Sequence, residues 1–527
     1  MARPRPLLIH EDSPTLAVWQ STLEKTLGRL THQASNLARA MEFLRESPED
    51  WSLVVLPATA RRDPHARGSS DCDAAVEFIS ALHRSWPSLP VIVIAEKRFV
   101  ALHALAGAMD KMVLIESQAD WRDLLAEKAW MLLSDASDIK PELDVEIRVK
   151  TDRLCTWSMR QHGRITADTF SDKELFIDPA KFEAVSEMRS PRDDENFKVW
   201  SDKLARKVHE MLFQGAADQL TFHGHFVDTT ARVAPERTRV RICSESDTHH
   251  DMHFDLLKRL LDDPKPMMLQ SSVVRQHGSR RSLQSLYFPP TKLRCLVVLA
   301  RGVELTIKDP ATGAVLFPGL KAAAFEARDV AKALRASAAY PGSSIAMEKE
   351  VATGLEVPAV GLLDFKEGDD VLARFGEALK AGPWHLVHFV GHGRTVPRAD
   401  GAGPGQRGEL ILCAKDRVTI DFETLALQLK ERDTRLMFLS ACQTGQGAFL
   451  SSAAYHMVPA IIGYRWPIQD ARAREFARVF YDALLHPDRP TRHSVERAFV
   501  AARASVYESF PAECSWASPA LLHQIDA

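Results

Sequence analysis

The sequence contains no apolar run near the ~18 residues that a membrane-spanning helix needs, so no such helix is expected in its 527 residues. It has no surplus of positive charge. Lys and Arg number 67 against 70 Asp and Glu, a formal net charge of −3, whereas a general nucleic-acid binder usually carries a basic excess. Cysteines are few: seven, at positions 72, 155, 243, 295, 413, 442 and 514. Their odd count and wide spacing argue against a disulfide framework, and the lack of any CxxC pair removes the usual zinc signature. No metal or cofactor is expected. A reducing cytoplasm is the expected location, and it would keep a reactive thiol free. The first residues are briefly basic, but the apolar stretch after them stops at Glu11 and Asp12, too soon for a signal peptide. Tandem repeats and low-complexity segments are absent.

What remains is ordinary globular material, 45% hydrophobic and 26% charged, with a length that suggests about three domains at roughly 150 residues each. Three spans are expected: 1–135, 138–290 and 291–527. In the first, apolar runs alternate with helical spacing. Pro6-Leu-Leu-Ile9, Ser52-Leu-Val-Val-Leu56, Pro90-Val-Ile-Val-Ile94 and Lys111-Met-Val-Leu-Ile115 read as strands. Helices are expected over 16–29, 74–86, 100–108 and 121–133. Continuous apolar strands between helices imply a parallel sheet covered on both faces, a doubly wound α/β domain.

The second span is strand-rich α+β. Residues 141–150 and 237–243 alternate with period two and read as half-exposed strands. Helices are expected at 197–212 and 253–261, and solvated loops at 187–195 and 275–281. The α/β rhythm then returns, with strands at 293–299, 386–390, 436–439 and 458–463. Helices are expected at 320–334, 372–379, 422–429, 470–485 and 494–507.

Two segments of the last span carry chemistry. One is His385-Leu-Val-His388-Phe-Val-Gly391-His392-Gly393; the other is Arg435-Leu-Met-Phe-Leu-Ser440-Ala-Cys442-Gln-Thr-Gly445. Each is a strand-length apolar run that ends in a reactive side chain among small residues. Parallel strands deliver such groups to the crevice at their C-terminal edge. Small neighbours let the backbone turn sharply and let a substrate approach. A cysteine and a histidine so placed are the minimum for nucleophilic attack on a peptide carbonyl, with Cys442 as nucleophile and His392 as general base or imidazolium partner. The amides of Gly393 and Cys442 are candidates for the oxyanion hole. A neighbouring imidazole and a helix N-terminus after Gly445 would favour the thiolate. His388 lies on the strand itself and reads as structural, His385 sits at its start, and Cys295 and Cys413 read as core. The glycine-rich stretch 394–408 is open to two readings, a lid that orders over substrate or a passive surface loop.

The first span resembles a response-regulator receiver domain, CheY-like in its order of elements, with Glu11-Asp12 where that family holds metal-binding acids. It departs from the pattern at each further key position. Pro57 stands where the phosphoacceptor aspartate should follow Leu-Val-Val-Leu56, Ala95 stands in place of a hydroxyl residue, and Leu114 stands where a lysine is expected. A proline has no carboxylate to phosphorylate, so the resemblance implies a receiver shape without phosphorelay.

The two chemistry-bearing segments resemble the motifs of the CHAT domain, a caspase-like protease family related to separase. Leu316-Phe-Pro-Gly319 with the helix carrying Glu326 resembles further family landmarks. So do Ile461-Ile-Gly-Tyr-Arg-Trp466-Pro467-Ile-Gln-Asp470, Phe480-Tyr-Asp-Ala-Leu and Trp516-Ala-Ser-Pro519. The match spans roughly 293–527. It implies a caspase-like fold, a His392–Cys442 dyad and cleavage of a protein substrate. Gln443 and Gln469 replace acids common in the family. A basic P1 residue is expected in a pocket with Asp470, Trp466 and Arg465. The strand-rich span 138–290 resembles the pseudo-caspase-like region that precedes many CHAT domains, His253-Phe-Asp-Leu-Leu257 included. The family implies a role in bacterial antiviral defence or cell death. Its substrate would be an effector encoded nearby, such as a gasdermin or a second protease. A regulatory partner, or another copy of the chain, is expected to dock on residues 1–135. Two alternatives stand beside this reading: a CHAT-shaped scaffold that does not cleave, and a response regulator with a protease output.

Overall fold

A run such as Val91-Ile-Val-Ile-Ala95 has no polar alternation, and a strand of that kind must be covered on both faces. In the computed structural model of the chain, this is how each expected parallel strand is used. The structure describes all residues except 1–4, 28–29, 48–49, 62–71, 87–88, 96–98, 100, 103–111, 117–124, 126–128, 130–142, 152–153, 162–163, 166–172, 189–195, 215–216, 279–293, 339–349, 353–354, 358–359, 398–405, 433, 456–457, 486–493 and 525–527. The expected helices at 100–108 and 121–133 lie largely outside the described residues, as does most of the loop 187–195. The described chain divides into two units, Met1–Ile139 and Lys140–Ala527.

In the first unit, strands β1 (Arg5–Ile9), β2 (His32–Ala34), β3 (Trp51–Pro57), β4 (Val91–Ala95) and β5 (Met112–Glu116) form one parallel sheet in the order β2-β1-β3-β4-β5. This is the doubly wound order of the CheY-like fold. Alternate residues of each strand serve opposite faces. Leu7, Ile9, Val54, Leu56 and Val93 pack with helices α2 (Leu37–Glu46) and α3 (Asp73–Ser85). Leu8, Leu53, Val55 and Ile92 pack with Leu16, Trp19 and Leu23 of α1 (Ser13–Leu27). Asn36 starts α2 by accepting the Arg39 N–H at 2.9 Å, a side-chain cap of the usual kind.

The second unit is built on one twelve-stranded sheet. In chain order its strands are β6 (Leu143–Thr151), β7 (Leu154–Gln161), β8 (Arg164–Ile165), β9 (Lys173–Phe176), β10 (Thr238–Ser244), β11 (Ser272–His277) and β12 (Cys295–Leu299). After the small ladders β13 (Ile307–Lys308) with β14 (Val315–Phe317) and β15 (Glu350–Ala352) with β16 (Leu355–Val357) comes β17 (Val360–Asp364). The others are β18 (Leu386–Val390), β22 (Leu436–Ser440), β23 (Ala460–Tyr464) and β24 (Pro519–His523). The spatial order is β17-β12-β18-β22-β23-β24-β11-β10-β6-β7-β8, with β9 also on β7. Strands β17 to β23 are mutually parallel, and β24, β11, β10 and β6 are parallel to one another. The antiparallel pair β23/β24 joins the two ladders. The sheet therefore runs without a break across residue 290.

Helices α4 (Pro179–Ser186), α5 (Phe197–Phe213), α6 (Ala217–Arg232) and the short α7 (Asp247–Asp251) belong to the first half of this unit. Helices α8 (Ala323–Ala338), α9 (Val371–Lys380), α10 (Phe422–Glu431), α11 (Gly447–Tyr455), α12 (Asp470–Leu485) and α13 (Val495–Ser509) belong to the second. Aspartates 370 and 421 cap α9 and α10 by accepting N–H bonds from Ala373 and Thr424.

Four local expectations are corrected. Strand β10 is buried at every position rather than half exposed. Its charged residues are neutralised across the ladder, Arg239 opposite Asp144 and Arg241 opposite Glu146. Residues 253–261 do not form a helix; only the single turn Phe254–Leu256 is helical, because His253 and Asp255 are buried in side-chain bonds to arginines. Arg275 is not on a solvated loop but fully buried in β11; residues 279–281 lie outside the described residues. The stretch 394–408 is not wholly a loop. Strands β19 (His392–Pro397), β20 (Gln406–Cys413) and β21 (Val418–Asp421) form an antiparallel sheet. Its tip, 398–405, is not described.

Candidate active site

The parallel ladder of β18 and β22 ends at the rung Val390 opposite Ser440. Gly391 keeps the two chains together one step further, its N–H donating to the Ser440 carbonyl at 3.1 Å. The chains then part. His392 opens β19, and Cys442 enters a turn. Both residues therefore stand two positions past the same rung. The approach is close: a Cβ on Gly393 would sit 2.6 Å from Thr444 Cγ2 and 2.9 Å from the Cys442 carbonyl. Only glycine fits there.

The turn after Cys442 is fixed by its own bonds. Gln443 adopts a left-handed backbone, φ 63°, a conformation that costs a non-glycine residue about 1 kcal/mol or more. Buried Thr444 Oγ1 donates to the Ala441 carbonyl at 2.7 Å and accepts the Tyr464 N–H at 3.3 Å. Gly445 donates to the Tyr464 carbonyl at 2.9 Å, and its Cα crosses Gly463 so closely that a Cβ on either would strike backbone. Helix α11 follows, its first amide (Gly447) held by the Asp251 carboxylate at 2.7 Å.

His392 is buried, its ring tilted 30° against Phe317 at 5.2 Å. Burial pulls its pKa down to about 4, against opposing effects of the Asp470 carboxylate and of a ring bond to the Val303 backbone. Nε2 makes no hydrogen bond, so in the neutral ring it is open to act as a base. Cys442 is partly exposed. Burial raises its pKa, helped by Asp470, while the amides of Ile468 and of Cys442 itself pull the other way.

Both directions favour imidazole and thiol over imidazolium and thiolate at rest. One prediction follows from the two directions. Alkylation of Cys442 by iodoacetamide is expected to be slow at pH 7 and to climb only above the range of an ordinary cysteine, since the thiolate is the reactive form. A flat rate from about pH 5 to 8 would indicate a preformed ion pair instead.

Beside Cys442 lies a narrow cleft whose walls include Leu320, Glu326, Tyr464, Ile468 and Asp470. Asp470, the first residue of α12, accepts the Ala322 N–H at 3.2 Å. Of the three residues expected to form the pocket, only Asp470 lines this cleft. Arg465 and Trp466 lie elsewhere. Arg465 is buried against Asp255 and His253. Trp466 packs edge-on against Trp200 and His253. Both side chains hold the two halves of the second unit together, because the chain turns at the end of β23 toward the first half.

Glu326 is a site residue that the sequence marked only as a helix landmark. It is 2% exposed. Its Oε1 lies 3.3 Å from His388 Nε2, yet neither atom makes a hydrogen bond. His388 itself is fully buried and bonded through Nδ1 to the Tyr481 hydroxyl at 3.0 Å, consistent with a structural histidine. His385 Nδ1 accepts the Arg294 N–H at 3.0 Å. Cys295 and Cys413 are buried core. Among the described residues no group of His, Cys, Asp and Glu is arranged to hold a metal, and no helix is long and apolar enough to cross a membrane.

In the first unit the acidic pair has structural partners. Glu11 pairs with Arg61 at 3.0 Å. Asp12 accepts the Thr15 N–H at 3.1 Å at the start of α1. Pro57 ends β3 beside Ile94.

A parallel α/β sheet that brings a histidine and a cysteine to the ends of adjacent strands defines the caspase-like class. The family model of the CHAT domain matches residues 203–523. The chain belongs to the CHAT-domain family, and the match reaches back well before residue 293, into the strand-rich span. Solved structures similar to the chain are receiver domains. One is a response-regulator receiver domain protein from Clostridium thermocellum, 14% identical, with a TM-score of 0.21, covering 25% of this chain and 94% of its own. A second is a response-regulator receiver protein from Sinorhizobium medicae, 20% identical, with a TM-score of 0.20, covering 25% and 95%. A third is the signal receiver domain of an HD domain-containing protein from Pseudomonas fluorescens, 21% identical, with a TM-score of 0.20, covering 25% and 95%. No curated protein matches the sequence.

Proposed function

We propose that the protein is a cysteine endopeptidase in which His392 and Cys442 form the catalytic dyad. The observation that carries this reading is the placement of both residues two positions past one rung of the β18/β22 ladder, with His392 Nε2 buried and unbonded. In the proposed reaction Nε2 takes the Cys442 thiol proton as sulfur attacks the scissile carbonyl. The new C–S bond forms the tetrahedral adduct. Its oxyanion is assigned to the amides of Cys442 and Gly393. Collapse breaks the C–N bond, and the imidazolium returns the proton to the leaving amine. Water, activated by the same nitrogen, then hydrolyses the thioester. The cytoplasm is the proposed location, and all seven cysteines are free.

The test compares wild type with Cys442→Ala against proteins encoded by neighbouring genes, with N-terminal sequencing of fragments. Wild type is expected to yield discrete fragments and the variant none. Fragments from both, or reaction of neither with a cysteine-directed peptide warhead, would favour the non-cleaving scaffold.

The substrate is proposed to carry a basic P1 residue. Two carboxylates, Asp470 and buried Glu326, line the cleft beside the nucleophile, so a cationic side chain there would meet opposite charge. Asp470→Asn and Glu326→Gln are each expected to lower kcat/KM for Arg and Lys substrates by at least about tenfold. Activity on substrates with an uncharged P1 should fall much less. Equal losses on both substrate classes would remove the P1 assignment.

Family membership supports the wider role in bacterial defence or cell death, with a dedicated effector, such as a gasdermin or a second protease, as substrate. Regulation is proposed to act through residues 1–135. There the Glu11–Arg61 pair and Pro57 leave a receiver shape suited to binding a partner, or a second copy of the chain, rather than to phosphotransfer.

A further inference from the structure

The left-handed turn at Gln443 makes the nucleophile segment a ridge between two openings. Cys442 lines the cleft on one side. On the other, Gln443 lines a separate cavity with Asp251, His253, Thr395, Gln406, Gln446 and Arg465. These walls come from four segments: the end of α7, the β19/β20 hairpin, the Cys442 turn and the end of β23. The cavity exists only because the two halves of the sheet are joined.

Its charged groups are already engaged from behind. Asp251 Oδ1 accepts the Gly447 N–H. Arg465 gives Nη1 to His253 Nδ1 at 2.8 Å and Nη2 to Asp255. Arg465 Nε is buried without a hydrogen-bond partner. Gln446 Nε2 donates to the Arg465 carbonyl at 3.2 Å. The remaining surface is amide and hydroxyl.

We propose that this cavity is a second specificity subsite, which takes an uncharged amide side chain, Asn or Gln, from the substrate near the scissile bond. The proposal rests on the protease reading given above. Exclusion selects the amide. A charged side chain would give up its hydration and find the opposite charge already spent, Asp251 on the Gly447 N–H and Arg465 on Asp255 and His253. An apolar side chain would strip water from three glutamines and a threonine and return no hydrogen bond. An amide both donates and accepts, and it meets neither penalty.

The test uses the full chain and a pool of peptides from a whole-proteome digest, with cleavage sites read by mass spectrometry. A second arm uses the double variant Thr395→Val, Gln406→Leu, which alters the hairpin wall and leaves the Cys442 turn untouched. Wild type is expected to favour Asn or Gln at one fixed position other than P1, by about tenfold over Leu, Glu or Lys. The double variant is expected to lose most of that preference while its P1 preference stands. Selection at P1 alone overturns the subsite and leaves the protease reading intact. So does a charged or apolar preference at the second position, or a preference unchanged in the variant. No cleavage of any peptide, together with no labelling by a peptide warhead, overturns both.

Discussion

His392→Ala is expected to lower peptide cleavage by about three to four orders of magnitude, the usual effect of removing a base that acts as a unit with its nucleophile. The size follows from the resting protonation states. Burial raises the Cys442 pKa, so few thiols ionise unaided at pH 7. In the proposed mechanism His392 Nε2, which makes no hydrogen bond at rest, is the acceptor for that proton. Without it, attack depends on the rare thiolate, and the leaving amine has no acid. Initial rates at pH 7 to 8 measure the loss. A variant that kept more than about a tenth of wild-type activity would exclude His392 as the base.

Stability gives the control for that variant. The folded imidazole has a pKa of about 4, below the ~6.5 of an unfolded histidine. The unfolded chain therefore takes a proton that the folded protein refuses. The associated stability is fully present above pH ~6.5 and is lost as pH falls toward 4, to a total of about 3 kcal/mol. His392→Ala removes this loss. Between pH 7 and pH 5 the variant should therefore lose less stability than wild type, as measured by denaturant midpoints. Lost activity with that flatter pH dependence separates a chemical role from misfolding.

The sequence made the strands legible, and with them the placement of His392 and Cys442 past one rung, because both depend on short-range pattern. Runs such as Leu386 to Val390 have one way to be buried, and small residues past their ends mark where the chain must turn. The sequence misled where charge was buried. Residues 237–243 alternate Arg with apolar residues, and alternation normally means a wet face. Here Arg239 and Arg241 meet Asp144 and Glu146 from a strand 95 positions earlier, and the face is dry. Nothing local announces such a pairing. The same holds for Glu326, which lines the cleft with Asp470 although 144 positions separate them. Glycines 401, 403, 405 and 408 suggested a loop, but Arg394 grips Glu409 across the ladder, Arg407 joins it from the same strand, and β19 and β20 pair from His392 to Pro397.

Asp255→Ala is expected to destabilise the second unit by about 3–5 kcal/mol, enough to lose the fold at moderate temperature. The carboxylate is 2% exposed. Its Oδ1 accepts from Arg275 Nη2 at 2.9 Å, its Oδ2 from Arg465, and Arg503 Nη2 lies 3.9 Å away. Burial drives the pKa values down, Arg275 to about 10 and Arg465 and Arg503 to about 9, and mutual repulsion adds to this for the latter two. Positive charge is thus already under-compensated with Asp255 in place. Removing it leaves three buried guanidiniums, with Asp251 the nearby carboxylate that still acts on Arg275 and Arg465. Loss of charge rather than of packing is the predicted cause, so Asp255→Asn, nearly the same shape, should be almost as damaging. Adding Arg503→Met to Asp255→Asn should recover part of the loss. Midpoints of denaturant unfolding decide the matter, and an unshifted midpoint for Asp255→Asn would sink it. The consequence reaches the active site, because Asp255 follows Asp251 by one turn of chain. Asp251 holds the first amide of α11, five residues past Cys442. A partial loosening of this segment should therefore lower cleavage before it lowers the content of secondary structure, and a titration with mild denaturant that follows both signals would separate the two.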